Sequence, residues 1–214
     1  TIINESKELA FNKFNTYNFK TYKEIEHQFT TNYDEFKTLI NKIEHIYLLS
    51  GYIIGNSGHA IDLFISKKPD GTYTVYIVNT GDGLQYHGTI SSPYFNDINL
   101  TYGLIQITNV DEDHLKKFLF AHSLFKHQYS NDIEYKETEN ASNNYYHLCL
   151  GTLCNLNDFN NINAKTDQIN YKILLHEQIT GTCVIRAILY PIMCLDIEVN
   201  PDKEEHHIIN DFYT

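Results

Sequence analysis

The stretch that decides the fold runs from His59 to Val78 and reads HAIDLFISKKPDGTYTVYIV. Apolar residues dominate both halves, and β-branched and aromatic side chains are frequent in each. Pro69-Asp70-Gly71 between them is a strong signal for a tight turn. The stretch therefore predicts an antiparallel hairpin with strands at 59–66 and 72–78.

The length of the hairpin loop decides which residue faces His59. A three-residue loop at 69–71 puts His59 opposite Gly81, with Asn79 one diagonal step away on the same face. A loop of two residues shifts the register by one, so that His59 faces Asp82 and Asn79 points away. We prefer the first register, in which Asn79 orients His59, and keep Asp82 as the alternative orienting residue.

A second informative block surrounds Cys183. The sequence CVIRAILYPIMCL at 183–195 predicts a buried helix that begins at Cys183, although Pro191 should kink or end it. Free N–H groups and the macrodipole at a helix N-terminus favour a thiolate. Gln178, just upstream, carries a side-chain amide that could donate to a developing oxyanion. A cysteine, an upstream glutamine and a distant histidine form a coherent set for acyl transfer.

The order His59, Asn79 or Asp82, Gln178 and Cys183 resembles that of the adenain, ubiquitin-like-protein protease and Yersinia-type effector group of papain-like cysteine peptidases. The resemblance implies an α+β fold in which a small antiparallel sheet packs on the helix that carries the nucleophile. It also implies that Cys183 is the nucleophile, His59 the base, Asn79 or Asp82 the orienting residue and Gln178 the oxyanion donor.

The same resemblance implies a function, namely cleavage of ubiquitin or a ubiquitin-like modifier by a thiol protease of a virus or an intracellular pathogen. An effector-type acyltransferase on the same core is one alternative, and an inactive papain-like binding module is another. This sequence departs from the family pattern where Ala60 replaces the tryptophan that usually follows the histidine. It departs again at Val184, which replaces the usual glycine after the cysteine.

The remaining chain supplies the flanking elements of one catalytic domain, 1–214. Apolar spacings of three and four predict helices within 5–49, and Asp111 is expected to cap a helix at 111–127. A strand is expected near 100–110. The type of segment 145–156 is ambiguous. Residues 90–170 separate the two halves of the site, so we expect an insertion or a substrate-binding lobe there.

Composition narrows the possible partners. A net charge of −11 disfavours binding to nucleic acid. The charge would attract a basic protein partner, but we prefer the simpler interpretation that it keeps the protein in solution. No apolar run reaches the ~20 residues that a bilayer span needs, and we expect no membrane partner. Four cysteines in 214 residues do not make a disulfide scaffold. We therefore expect a reducing, cytoplasmic compartment, possibly that of a host. No His-Glu-x-x-His motif occurs, and we expect no metal and no cofactor.

Overall fold

The computed structural model describes residues 22–54, 57–91, 99–131, 141–154, 167–175 and 183–204. These residues combine helices with an antiparallel sheet, which confirms the α+β class. The helices are α1 (Tyr22–Ile43), α2 (Glu112–Asn131), α3 (Ala141–Cys154) and α4 (Cys183–Val199). The strands are β1 (His45–Ile54), β2 (Ser57–Lys67), β3 (Tyr73–Val78), β4 (Thr89–Ser91), β5 (Asn99–Val110) and β6 (Ile169–Leu175).

The sheet follows the order β1-β2-β3-β5, and both β4 and β6 pair with β5. The hairpin of β2 and β3 has the register expected from a three-residue loop. Lys67 pairs with Tyr73 and Asp62 pairs with Val78. Beyond them, the N–H of Lys68 donates to the carbonyl of Thr72 at 2.8 Å. The predicted strands and the preferred register are both confirmed.

The two faces of the sheet are covered by different helices. Because side chains alternate along a strand, Ile61, Leu63 and Ile65 of β2 lie on one face, where they share a core with residues of α1, α2 and α3. Phe64 lies on the other face, in a smaller core with Tyr76 of β3. Three residues of α4 complete that smaller core: Tyr190, Met193 and Cys194. Helix α4 is therefore separated from the other three helices by the sheet.

The first helix ends earlier than the sequence indicates. The prediction of helix through residue 49 is wrong, because α1 ends at Ile43 and β1 begins at His45. Glu44 makes the junction with φ of 62°, and its N–H donates to the carbonyl of Ile40 at 3.0 Å. This is the left-handed position that glycine usually occupies after a helix. With glutamate there, the sequence carries no stop signal.

The described parts of residues 90–170 supply many side chains of the main core. Asp111 caps α2 as predicted, since its Oδ1 accepts from the N–H of His114 at 2.8 Å. Leu115 and Phe118 of α2 and Leu150 of α3 are buried in the core that the hairpin also enters. Segment 145–154, ambiguous from sequence, is the greater part of α3. The described parts of 90–170 thus share a core with the hairpin, and the insertion or substrate-binding lobe stays a prediction.

Helix α4 continues through Pro191 to Val199, so the helix does not end at that proline. A proline inside a helix costs about 3 kcal/mol. Burial of Tyr190, Met193 and Cys194 against the sheet offsets that cost. None of the helices in the described part of the chain is long and apolar enough to cross a membrane.

Candidate active site

His59 and Asn79 are joined by a buried hydrogen bond. The Nε2 of His59 lies 2.7 Å from the Oδ1 of Asn79, and the two residues are 9% and 1% exposed. Both lie on the face of the sheet that α3 covers, at the end of β2 remote from the hairpin turn. The predicted pairing of these two residues is therefore present.

The register that would make Asp82 the orienting residue is not the one observed. It requires a two-residue hairpin loop, whereas the observed pairing of β2 with β3 corresponds to three. The side chain that bonds to His59 is that of Asn79. Asp82 takes part through its backbone carbonyl, which accepts from the Nδ2 of Asn79 at 2.6 Å.

The orientation of the Asn79 amide assigns the proton of His59. The Oδ1 of Asn79 accepts from the N–H of Gly81 at 2.9 Å, while Nδ2 donates to the carbonyl of Asp82. A backbone N–H can only donate and a carbonyl can only accept, so the amide cannot be reversed. His59 must then donate from Nε2 to Oδ1. In the neutral ring this leaves the lone pair on Nδ1, the atom that would act as a base.

Gly81 provides the surface on which the His59 ring rests. A Cβ built on Gly81 would lie 2.6 Å from the Cε1 of His59, closer than carbon atoms approach in proteins. The ring therefore occupies space that only glycine leaves open. This contact, together with the bond to Asn79, fixes the ring at the end of the hairpin.

Replacement of Gly81 by alanine should displace the His59 ring and destabilise the fold by about 1–3 kcal/mol, since an added methyl group overfills a packed site. Denaturant unfolding at equilibrium measures the cost. The matched background is His59→Ala, in which the space is empty and the same substitution should cost little. An equal cost in both backgrounds would show that the His59 ring is not what Gly81 accommodates.

Cys183 and Gln178 complete the predicted set. Cys183 is the first residue of α4, as expected, while Gln178 lies outside the described residues. Glu198 of α4 contacts Ser66 of β2, and this contact relates the positions of the two elements. From Ser66, His59 is about 23 Å back along β2. From Glu198, Cys183 is about 22 Å back along α4. From that contact, β2 toward His59 and α4 toward Cys183 run to the same end of the sheet, but the helix and the His59 side chain lie on opposite faces.

The C-terminal end of α4 is anchored to the hairpin by Glu198. Its carboxylate, 4% exposed, accepts hydrogen bonds from the hydroxyl of Tyr76 at 2.5 Å and the hydroxyl of Ser66 at 3.0 Å. The ammonium of Lys68 forms an ion pair with the same carboxylate. Three donors from β2 and β3 thus hold one end of the helix whose other end is Cys183.

Sequence patterns did not reveal two further residues of the site, Tyr146 and His87. The hydroxyl of Tyr146, on α3, lies 2.8 Å from the Nδ2 of Asn79 and 2.7 Å from the Nε2 of His87. All of these groups are buried. The only available signals were a tyrosine in an ambiguous segment and one histidine among eleven. Neither predicts a contact between residues so distant in sequence.

Chemically, the described part of this site offers imidazole, amide and phenol groups. No group of three or more His, Cys, Asp or Glu side chains among the described residues is arranged to hold a metal ion. An oriented imidazole of this kind can take a proton from an acidic nucleophile and return it to a leaving group.

Comparison with known proteins adds no relative. No protein-family model, no curated protein and no solved structure matches this chain.

Proposed function

We propose that this chain is a papain-like, thiol-dependent hydrolase in which Cys183 is the nucleophile and His59 its base. The observation that carries the proposal is the buried hydrogen bond between His59 and Asn79, in which Asn79 accepts and the ring carries its proton on Nε2. An amide that accepts from one ring nitrogen leaves the other as the base, which is the role of the third member of a triad.

In the proposed reaction the Nδ1 of His59 takes the proton of the Cys183 thiol, and the sulfur forms a bond to the substrate carbonyl carbon. Backbone N–H of Cys183 and the Gln178 amide stabilise the oxyanion. Collapse breaks the carbon–nitrogen bond, and His59 returns its proton to the departing amine. Water then hydrolyses the thioester with His59 again as base. Throughout, Asn79 keeps the proton of Nε2 in place.

The start of α4 at Cys183 supports the choice of nucleophile. The helix has 17 residues, so several N–H groups without a partner inside the helix and a full macrodipole meet at its first residue. Such a position favours a thiolate. By contrast, burial raises the pKa of the Cys149 and Cys194 thiols, which disfavours both as nucleophiles.

The substrate class in this proposal derives from the family resemblance, which implies proteins linked to ubiquitin or a ubiquitin-like modifier. The net charge of −11 is compatible with a basic face on such a partner.

One observation favours a second candidate, a binding module without catalysis. Helix α4 packs on the face of the sheet opposite His59. Reaction requires the start of α4 and the imidazole of His59 to meet at the end of the sheet. A chain in which they do not meet would keep the fold and bind a protein partner without cleaving it.

The two candidates are separated by modifier probes that carry a thiol-reactive group at the C-terminus. We expect a ubiquitin-type probe to form an adduct with the wild-type chain that Cys183→Ala abolishes and His59→Gln slows by about 10²-fold or more. The matched control Cys154→Ala, which removes a buried thiol of α3, should react like wild type. Rapid labelling of Cys183 by a small thiol reagent without any probe adduct would indicate another acyl substrate. An inert Cys183 would overturn the hydrolase proposal in favour of the binding module.

A further inference from the structure

Helix α4 is rich in apolar residues on every side, although the sheet covers only one side of it. Only three of its 17 residues are charged. A helix that is apolar all round is normally buried all round. The side of α4 that faces the sheet carries Tyr190, Met193 and Cys194, which fill the small core. The opposite side therefore presents an apolar surface that the small core does not use.

Exposed apolar residues mark that opposite side. In the described part of the chain three large apolar side chains are exposed, and two of them, Ile192 at 47% and Val199 at 62%, lie on α4. Ile192 lies two residues after Tyr190 and Val199 lies nine residues after it, about half a turn round the helix axis in each case. Single exposed apolar residues are ordinary, but these two share one face, directly away from the sheet.

The sequence of α4 extends this face into a row. Alternating steps of three and four residues place five apolar residues in line, which we call the outer stripe: Ile185, Ile188, Ile192, Leu195 and Val199. Leu195 also touches the small core, so it forms one border of the stripe. Steps of three and four are the spacing with which two helices interlock their side chains along a shared seam. The outer stripe thus matches a helix that carries the same row.

The charges beside the outer stripe favour a second copy of this chain over a basic partner. Asp196 forms an ion pair with Lys203 at 2.6 Å, and Glu198 forms one with Lys68. Both acidic residues of α4 are therefore neutralised within the chain. The net charge of −11 opposes association at long range, but physiological salt screens charges beyond about 8 Å. Two copies that meet along this stripe bring no uncompensated acidic side chain of α4 together.

We propose that the outer stripe of α4 is a self-association surface, on which α4 of a second copy packs about a two-fold axis. In such an interface both copies contribute the same residues, so one contact removes two copies of Ile192 and of Val199 from water. The helix is about 25 Å long. A contact of that length is small for a protein interface, and we expect a dissociation constant on the order of 10 μM. The dimer does not depend on the hydrolase function proposed above.

Sedimentation equilibrium of the full chain at physiological ionic strength tests the proposal. We expect the wild type to pass from monomer to dimer as its concentration rises from about 1 to about 200 μM. Ile192→Glu places a charge from each copy in the middle of the stripe and should raise the dissociation constant by about 10²-fold or more. The matched control is Ile90→Glu, which alters an exposed isoleucine of β4 and should dimerise like wild type.

Val199→Glu keeps the test open if Ile192→Glu fails to fold, because Val199 is the more exposed of the two residues. It lies at the end of the stripe, so we expect a smaller rise in the dissociation constant, about tenfold. Circular dichroism checks the fold of each variant.

Three results would overturn the proposal. A wild-type chain that stays monomeric at the highest concentration has no such surface. A dimer that folded Ile192→Glu or Val199→Glu leaves intact is formed elsewhere on the chain. A monomeric wild type that Ile192→Glu destabilises, while Ile90→Glu does not, has its stripe covered by residues of the same chain.

Discussion

Replacement of Glu198 by alanine is expected to lower the free energy of unfolding by about 2–5 kcal/mol, because its buried carboxylate is the acceptor of two buried hydroxyls. The carboxylate is the shared acceptor for Tyr76, Ser66 and Lys68. Without it, two buried hydroxyls lose their acceptor, and each costs about 1–3 kcal/mol. Chemical denaturation followed by circular dichroism measures the change.

The matched control for Glu198→Ala is Asp196→Ala, two residues earlier on α4. Asp196 forms an ion pair with Lys203 at 2.6 Å, with both side chains about one-quarter exposed. Partly exposed pairs of this kind contribute about 0–1 kcal/mol. Similar losses in the two variants would show that Glu198 does not anchor the helix through its buried bonds.

A second large effect is expected at Asp62, a carboxyl with no solvent exposure under α4. Its Oδ1 accepts from the hydroxyl of Tyr47 at 2.6 Å, and among the described residues its Oδ2 has no hydrogen-bond partner. Burial raises the pKa of Asp62 to about 8, although the bond from Tyr47 opposes the shift. The carboxyl is thus protonated in the folded chain at neutral pH and ionised in the unfolded chain.

The pH dependence follows from that difference in bound protons. Between about pH 4 and pH 8 the folded state holds one more proton than the unfolded state, so stability falls as the pH rises. The slope approaches about 1.4 kcal/mol for each pH unit, and the loss is complete above pH 8. Asp62→Asn cannot ionise, so we expect it to be more stable than wild type at pH 8 by on the order of 5 kcal/mol, which is the slope taken over about four pH units.

Unfolding curves at pH 4, 6 and 8 test this expectation, with Asp70→Asn as the control. Asp70 is exposed, and bonds from the N–H and hydroxyl of Thr72 lower its pKa. Its contribution to stability is therefore lost as the pH falls, the opposite sign to Asp62. If Asp62→Asn kept the pH dependence of the wild type, Asp62 would not be the group that titrates.

The hairpin could be predicted because its signals are local. In the turn, Pro69 has a fixed φ, Asp70 forms an Asx turn with Thr72, and Gly71 has a φ of 88°. The strands on either side are rich in apolar, β-branched and aromatic residues. Once the loop length is chosen, the neighbours of His59 follow from strand geometry alone. That is why the contact between His59 and Asn79 was accessible from the sequence.

The sequence does not reveal contacts that depend on distant segments. Tyr146 reaches Asn79 from a helix far along the chain, and no spacing rule links the two. The face of the sheet that α4 covers is equally hidden, since its apolar residues would suit either side. The end of α1 at Glu44 was not predicted because this residue adopts a left-handed conformation that its side chain does not favour, with its carbonyl accepting from the N–H of Lys67.

The strand order also has a consequence for how the chain folds. Strands β1, β2 and β3 are consecutive and lie close together in the sequence, whereas β5 and β6 pair only after the chain between Val110 and Ile169 has been closed into a loop. Local pairings cost less loop entropy and generally form sooner. We expect the meander, with His59 already bonded to Asn79, to assemble before α3 brings Tyr146 and before α4 docks. Half of the proposed centre is then built by neighbouring segments, and the thiol arrives with the last helix of the described chain.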